Sequence, residues 1–152
     1  MKVLDYLGET SAEFEIREHA PSFTAQHMAE KEHVPGMNVA KPVMIRADAV
    51  EYLCVLPACC MIDFWVLKDL LGAELIELVS EEEMTKWFYD CEVGAEPPFG
   101  SVYGLPTVMD EQLEREEFIV FQDGRHDQAI RMNTQEYQRI EKPRVLNFAY
   151  HV

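Results

Sequence analysis

The stretch Gly94-Ala95-Glu96-Pro97-Pro98-Phe99-Gly100 limits the fold more than any other segment of the chain. Two adjacent prolines remove backbone donors and stiffen the chain, so the segment cannot be regular helix or strand. A glycine at either end lets the backbone approach a ligand closely. Such a loop serves either as an ordinary rigid connection or as a set of N–H groups suited to a carbonyl oxygen or a developing oxyanion.

On either side of it, short apolar segments alternate with helix signals. Residues 2–7 read as a helix ended by Gly8, and residues 14–18 alternate apolar and charged like a half-buried strand. Pro21-Ser22-Phe23-Thr24 reads as a turn, with Thr24 capping a helix to about residue 32. Residues 39–46 follow as a strand in which Pro42 favours an edge or a strand start, paired with residues 51–56 through the turn at Ala47-Asp48-Ala49. Asp63 caps a helix that Gly72 ends, with Phe64, Leu67, Leu70 and Leu71 on its buried side. Residues 73–79 form a strand, and Ser80 with Glu83 makes a capping box for a helix to about residue 90. Strands are expected near residues 107–109, 118–122 and 129–132, with Thr134 capping a last helix. Without a strict βαβ rhythm, this is an α/β (α+β) chain with a mixed sheet and helices packed around it. Its 152 residues, with no repeat or linker, suit one domain over 1–152.

The longest apolar run, residues 52–71, is broken by Pro57, Asp63, Lys68 and Asp69, too polar to span a bilayer. The N-terminus has no apolar signal region, so a cytoplasmic protein is expected. Cys54, Cys59, Cys60 and Cys91 are too few and too irregular for a disulfide framework, and their spacing does not read as a zinc site. Neither metal nor cofactor is expected. A net charge of −15, from 13 basic against 28 acidic residues, argues against coating DNA or RNA non-specifically. It leaves room for contact with one short RNA end through a local basic spot.

No serine-nucleophile elbow or phosphate loop is present. Lys41 is a lone cation in an apolar strand; it either snorkels to the surface or faces an anion in a cavity. Asp110 ends one strand, and His126 in Gly124-Arg125-His126 precedes another; alone, each reads more often as a surface residue than as a catalytic one. Cys91, just before Gly94, offers a thiol alternative.

Taken in order, several segments resemble the YbaK/prolyl-tRNA synthetase-associated editing domain. They are His19-Ala20-Pro21-Ser22-Phe23-Thr24-Ala25, Ala40-Lys41-Pro42-Val43-Met44-Ile45, Val55-Leu56-Pro57 with Asp63, the Gly94–Gly100 loop, Val108-Met109-Asp110-Glu111-Gln112-Leu113, Gly124-Arg125-His126, and Lys142-Pro143-Arg144-Val145 with Asn147-Phe148. The loop is similar to that family's G-x-x-x-P motif and is the most specific of them.

The resemblance implies a barrel-like mixed sheet and a free-standing deacylase. Such an enzyme hydrolyses the ester of a mischarged tRNA carrying a small amino acid, on tRNA for proline or a related tRNA, with transient contact to a synthetase. Lys41 would hold the phosphate or ribose of the 3′ end, and Gly94 would present N–H groups to the aminoacyl carbonyl. Ala95, Glu96, Pro97, Pro98, Phe99 and Gly100 would line the substrate site, and Asp110 and His126 would shape the pocket or hold the amino group. A ribose hydroxyl of the substrate would activate the water, and the cleft between Lys41 and Gly94 would be locally positive. The alternative is a binding or regulatory module that keeps the fold without turnover.

Overall fold

The computed structural model describes residues 2–22 and 24–152, apart from the side chain of Gln26. Phe23, in the first of the family-like segments, lies outside the described residues.

Helix α1 (Lys2–Glu9) leads to strand β1 (Glu15–Glu18) and helix α2 (Ala25–Glu32), whose first turn is capped as expected, Thr24 Oγ1 accepting from His27 N–H at 3.0 Å. Strands β2 (Ala40–Ala47) and β3 (Val50–Pro57) form a long antiparallel pair, Lys41 facing Leu56 and Pro42 facing Val55. A short β4 (Cys60–Ile62) follows. Asp63 then accepts from Trp65 and Val66 N–H to start α3 (Phe64–Leu71), and Gly72, at φ 66°, ends it.

Strand β5 (Ile76–Leu78) pairs with only the last part of β2, at Ile45 to Ala47. The flank of β2 at Pro42 is therefore unpaired although the strand lies inside the sheet, so the proline's missing N–H costs no ladder bond. Helix α4 (Glu81–Trp87) is capped by Ser80, which accepts from Glu83 N–H. Glu83 does not return the bond; its carboxylate goes to Arg46, which also holds Glu51 and Glu77.

The remainder comprises β6 (Thr107–Asp110), α5 (Glu111–Glu114), β7 (Phe118–Gln122), β8 (Gln128–Asn133), α6 (Thr134–Glu141), β9 (Arg144–Leu146) and β10 (Ala149–His151). Thr134 is the first residue of α6 rather than its cap, a shift of one position. Strands align as a five-stranded mixed sheet in the order β5-β2-β3-β6-β9, a three-stranded sheet β1-β8-β7, and the pair β10-β4. A single parallel bridge, Val39 to Val120, joins the start of β2 to β7. The mixed α/β class stands; the ladders do not close into a barrel, because β5 and β9 end the large sheet unpaired on their outer sides.

Both faces of the five-stranded sheet are covered, which is why β2 and β3 read as apolar runs rather than alternating ones. Met44, Leu53 and Val55 face a core of Phe99, Met109, Phe121 and Tyr137. Ile45, Cys54 and Leu56 face a second core with Leu67, Val108 and Phe148. Strand β1 does not bury a face: its four residues are all exposed, Ile16 included, because it lies at the margin of the small sheet. Among the described residues, no helix is long and apolar enough to cross a membrane.

Candidate functional site

The loop after α4 is held in place bond by bond. Glu92 N–H donates to Gly124 O, and Gly124 N–H donates to Ala95 O, each at 2.8 Å. Tyr137 O–H donates to Pro98 O at 2.6 Å, and Gly100 N–H donates to Thr107 Oγ1 at 3.0 Å. Gly94 sits at φ 87°, where a side chain would be strained. At Gly100 a Cβ would meet Thr107 Oγ1 at 2.4 Å and Leu105 O at 2.7 Å, so only glycine fits.

This fixation brings the start of the loop to a hollow of about 210 Å³ between α2, β2, α4 and β7. Lys41, Gly94 and Glu96 all border it, with Met28, Met84 and Gln122 among the other walls. Of the residues singled out in the sequence, these three are brought together. The rest of the loop turns away: Ala95, Pro97, Pro98, Phe99 and Gly100 are buried, and Phe99 packs edge-on against Phe121 and Tyr137 in the main core.

Asp110 and His126 do not border the hollow. Asp110 is fully buried; one carboxylate oxygen accepts from Phe148 and Ala149 N–H, at 3.0 and 2.9 Å, and the other from Gln112 N–H. It caps α5 and ties down the C-terminal segment. His126 is buried with Nδ1 at 2.8 Å from Ser22 O and Nε2 at 2.7 Å from Val93 O, so its ring links the segment before α2 to the residue before Gly94.

The groups at the hollow are already engaged. Lys41 shares its side-chain face with its cross-strand partner Leu56, and its ammonium donates to Ala58 O at 3.3 Å. Burial lowers its pKa, opposed by the nearby Cys60 and Cys59. Gly94 N–H points at both oxygens of the Glu96 carboxylate, each at 2.9 Å. Burial raises the Glu96 pKa, the Gly94 N–H acting against the shift and Glu81 adding to it. With Glu81 and Glu96 in its wall against one ammonium, the hollow is not the positive cleft expected; it is rich in acceptor oxygens.

Cys91 is no thiolate: burial pushes it up to about 12, and its sulfur lies 3.3 Å from Tyr103 Oη in a cluster with Asp90. A thiol held protonated at neutral pH is a poor nucleophile. Among the described residues no group of three or more His, Cys, Asp or Glu side chains could hold a metal ion.

Three carboxylates, Asp123 and Glu141 buried and Glu96 partly so, set an expected pH dependence. Burial raises Glu96, Asp123 and Glu141 above their ordinary 4.5 and 3.8. Their protonation favours the fold; that contribution is full below the ordinary values and is lost as pH rises through the raised ones. Glu136, held down to about 2 by Arg139, acts oppositely, its contribution disappearing only as pH falls toward that value. The thermal midpoint should therefore rise as pH is lowered through the raised values toward the ordinary carboxylate range. Asp123→Asn should flatten that slope, since it removes one of the three raised carboxyls.

The hollow's walls come from five separate segments, and Glu81, Met28, Met84 and Gln122 carried no signal of membership in the sequence. Glu81 was legible only as a first-turn helix residue, and the methionines only as apolar positions.

A mixed sheet covered on both faces, with a small acceptor-rich hollow at the unpaired flank of one strand, places the chain in the mixed α/β class. The sequence matches the aminoacyl-tRNA editing domain family over residues 19–140, and the chain belongs to that family. This agrees with the resemblance carried by its motifs and ties it to aminoacyl-tRNA editing in general. The fold is shared with a candidate trans-editing enzyme for prolyl tRNA synthetase, at TM-score 0.85 and 20% identity over 98% of this chain and 95% of that one. It is shared also with a hypothetical protein, at TM-score 0.89 and 18% identity, covering 99% of this chain and 100% of the other. A third likeness is a candidate signal transduction protein of Marinobacter aquaeolei VT8, at TM-score 0.76 and 19% identity, covering 97% of this chain but 30% of that protein. No curated protein matches the sequence at a significant level.

Proposed function

We propose that this chain, as one editing domain over residues 1–152, is a cytoplasmic, free-standing hydrolase of small aminoacyl esters on tRNA. The observation that carries this reading is that Lys41 and the Gly94–Glu96 turn border one small hollow. Water adds to the ester carbonyl carbon, the bond to the ribose oxygen breaks, and that oxygen leaves with a proton. A ribose hydroxyl of the substrate assists the water, so the protein's part is placement and charge. A second, size-selective site of this kind adds fidelity, because one methylene is worth only about 1–3 kcal/mol to a synthetase pocket.

Glu96 receives a role the sequence left general. An arriving α-ammonium offers its carboxylate a better partner than the Gly94 amide does, because both groups are charged. Rotation of Glu96 toward the ammonium releases Gly94 N–H for the ester carbonyl, the developing oxyanion. Met28 and Met84 limit the amino-acid side chain, which suits alanine-sized residues. The tRNA partner is that for proline or a related one, met at its aminoacylated 3′ end, with transient contact to a synthetase.

A panel of mischarged tRNAs tests this: hydrolysis of at least one small aminoacyl ester is expected. Glu96→Gln should lower kcat/KM by about 10- to 100-fold, the range of a lost hydrogen bond to a charged group. An N-acetylated ester, lacking the ammonium, should resist the native protein and be indifferent to that substitution. Absence of turnover on the whole panel sinks the reading.

The second reading, a binding or regulatory module without turnover, draws on two contacts. Lys41 is held by Ala58 O and Gly94 N–H by Glu96, so both groups are occupied without substrate. Binding of the same tRNAs without hydrolysis would select it.

A further inference from the structure

Lys41 borders a second hollow besides the first, about 190 Å³ between β2, β4 and α3, with Leu56, Met61, Phe64 and Leu78 in its walls. Phe64 in turn borders a third, about 210 Å³, walled by Trp65, Lys68, Glu74 and Leu75. Shared residues thus join the three into one strip leading from Gly94 to the start of α3.

The strip is apolar and open. Trp65 is 80% exposed, Leu75 76% and Leu78 62%, a cost in water that ordinary surface residues do not carry. Lys68 Nζ lies 5.3 Å from the Trp65 ring centroid, so a cation accompanies the open aromatic. Five arginines elsewhere, Arg17, Arg46, Arg115, Arg125 and Arg139, are neutralised by carboxylates. Lys41, Lys68 and Arg144, three of the eight cations without a carboxylate ion pair among the described residues, surround α3, Arg144 donating to Leu70 O. The acids nearby are partly committed: Asp63 caps α3 and Glu77 pairs with Arg46, leaving Asp69 and Glu74.

An exposed indole flanked by uncompensated cations and an apolar floor matches the chemistry of unpaired nucleotides, whose bases stack while their phosphates meet the cations. We propose that the strip from Lys41 past Phe64 to Trp65 binds the single-stranded RNA that precedes the aminoacylated terminal adenosine. This rests on the function proposed above: the terminal residue occupies the first hollow, and the nucleotides before it cross the other two.

The test uses the full chain, Trp65→Ala and Trp65→Phe with two probes. One is an uncharged RNA stem with an unpaired CCA end, followed through tryptophan fluorescence in the native protein and by filter retention in the variants. The other is a pair of esters, a mischarged stem with that end and an aminoacyl-adenosine lacking the preceding nucleotides. Trp65→Ala should weaken stem binding by about 5- to 100-fold, and Trp65→Phe by less than about 3-fold. Trp65→Ala should raise KM for the mischarged stem and leave aminoacyl-adenosine hydrolysis unchanged. Equal binding of the CCA-ended stem by native protein and Trp65→Ala overturns the proposal. A blunt stem bound as tightly as the CCA-ended one does the same. Self-association of the native chain that Trp65→Ala abolishes would make the strip an interface between copies and also overturn it. Failure of hydrolysis on both esters would strike the enzymatic reading, while stem binding would still decide the strip.

Discussion

In Lys41→Met, hydrolysis of a small aminoacyl ester on tRNA is expected to fall by about two to three orders of magnitude, while the thermal midpoint holds or rises. The rate loss follows if the ammonium holds the 3′ end beside the hollow, since a placed charge is worth most where water is scarce. The stability result follows from the same placement. Lys41 lies half-buried with its pKa lowered by burial and a carbonyl, Ala58 O, as its hydrogen-bond partner. Methionine keeps the stem, removes the poorly solvated charge and fills the same space. A residue that costs stability and supports rate is the usual trade at a functional position. Single-turnover hydrolysis beside calorimetry separates the two. A midpoint that falls in proportion to activity would make Lys41 a structural residue.

The second large effect is on folding. Phe99→Ala should lower the free energy of unfolding by about 3–5 kcal/mol, a large part of the roughly 5–15 kcal/mol a domain possesses. Phe99 is fully buried, with ring centroids 5.4 Å from Phe121, 5.1 Å from Tyr137 and 6.1 Å from Tyr6. These edge-to-face contacts join α1, the loop, β7 and α6, so the cavity would open where four segments meet and collapse is hardest. Denaturant unfolding measures the loss, and Phe99→Leu should lose much less. Activity per folded molecule should survive, because Phe99 does not touch the hollow. Unchanged stability with lost turnover would return Phe99 to the substrate site.

Signals that act within a few residues were legible. Thr24, Asp63 and Ser80 cap the helices their spacing indicated, and Gly72 ends one of them, because a cap is a contact between near neighbours. The return bond of the Ser80 box failed where Arg46, from a distant strand, offered Glu83 a charged partner. Strand β4 and helix α5 were missed because three or four residues carry too little periodicity. The apolar face of α3 was half right: Leu67 is buried, but Leu70 is left partly open because the sheet covers only one side of the short helix.

The motif order already pointed to an editing domain, and the glycine-proline stretch already demanded an irregular, stiff loop, since both are properties of neighbouring residues. Which of those loop residues meet a ligand was a tertiary matter. Tyr137 and Thr107, from distant segments, draw Pro98 and Gly100 inward and leave Gly94 and Glu96 at the hollow. The partners of Lys41, Asp110 and His126 were likewise set by chain segments far apart in sequence. A charge or acceptor takes the role its nearest neighbours in space allow, and those neighbours exist only once the sheet has formed.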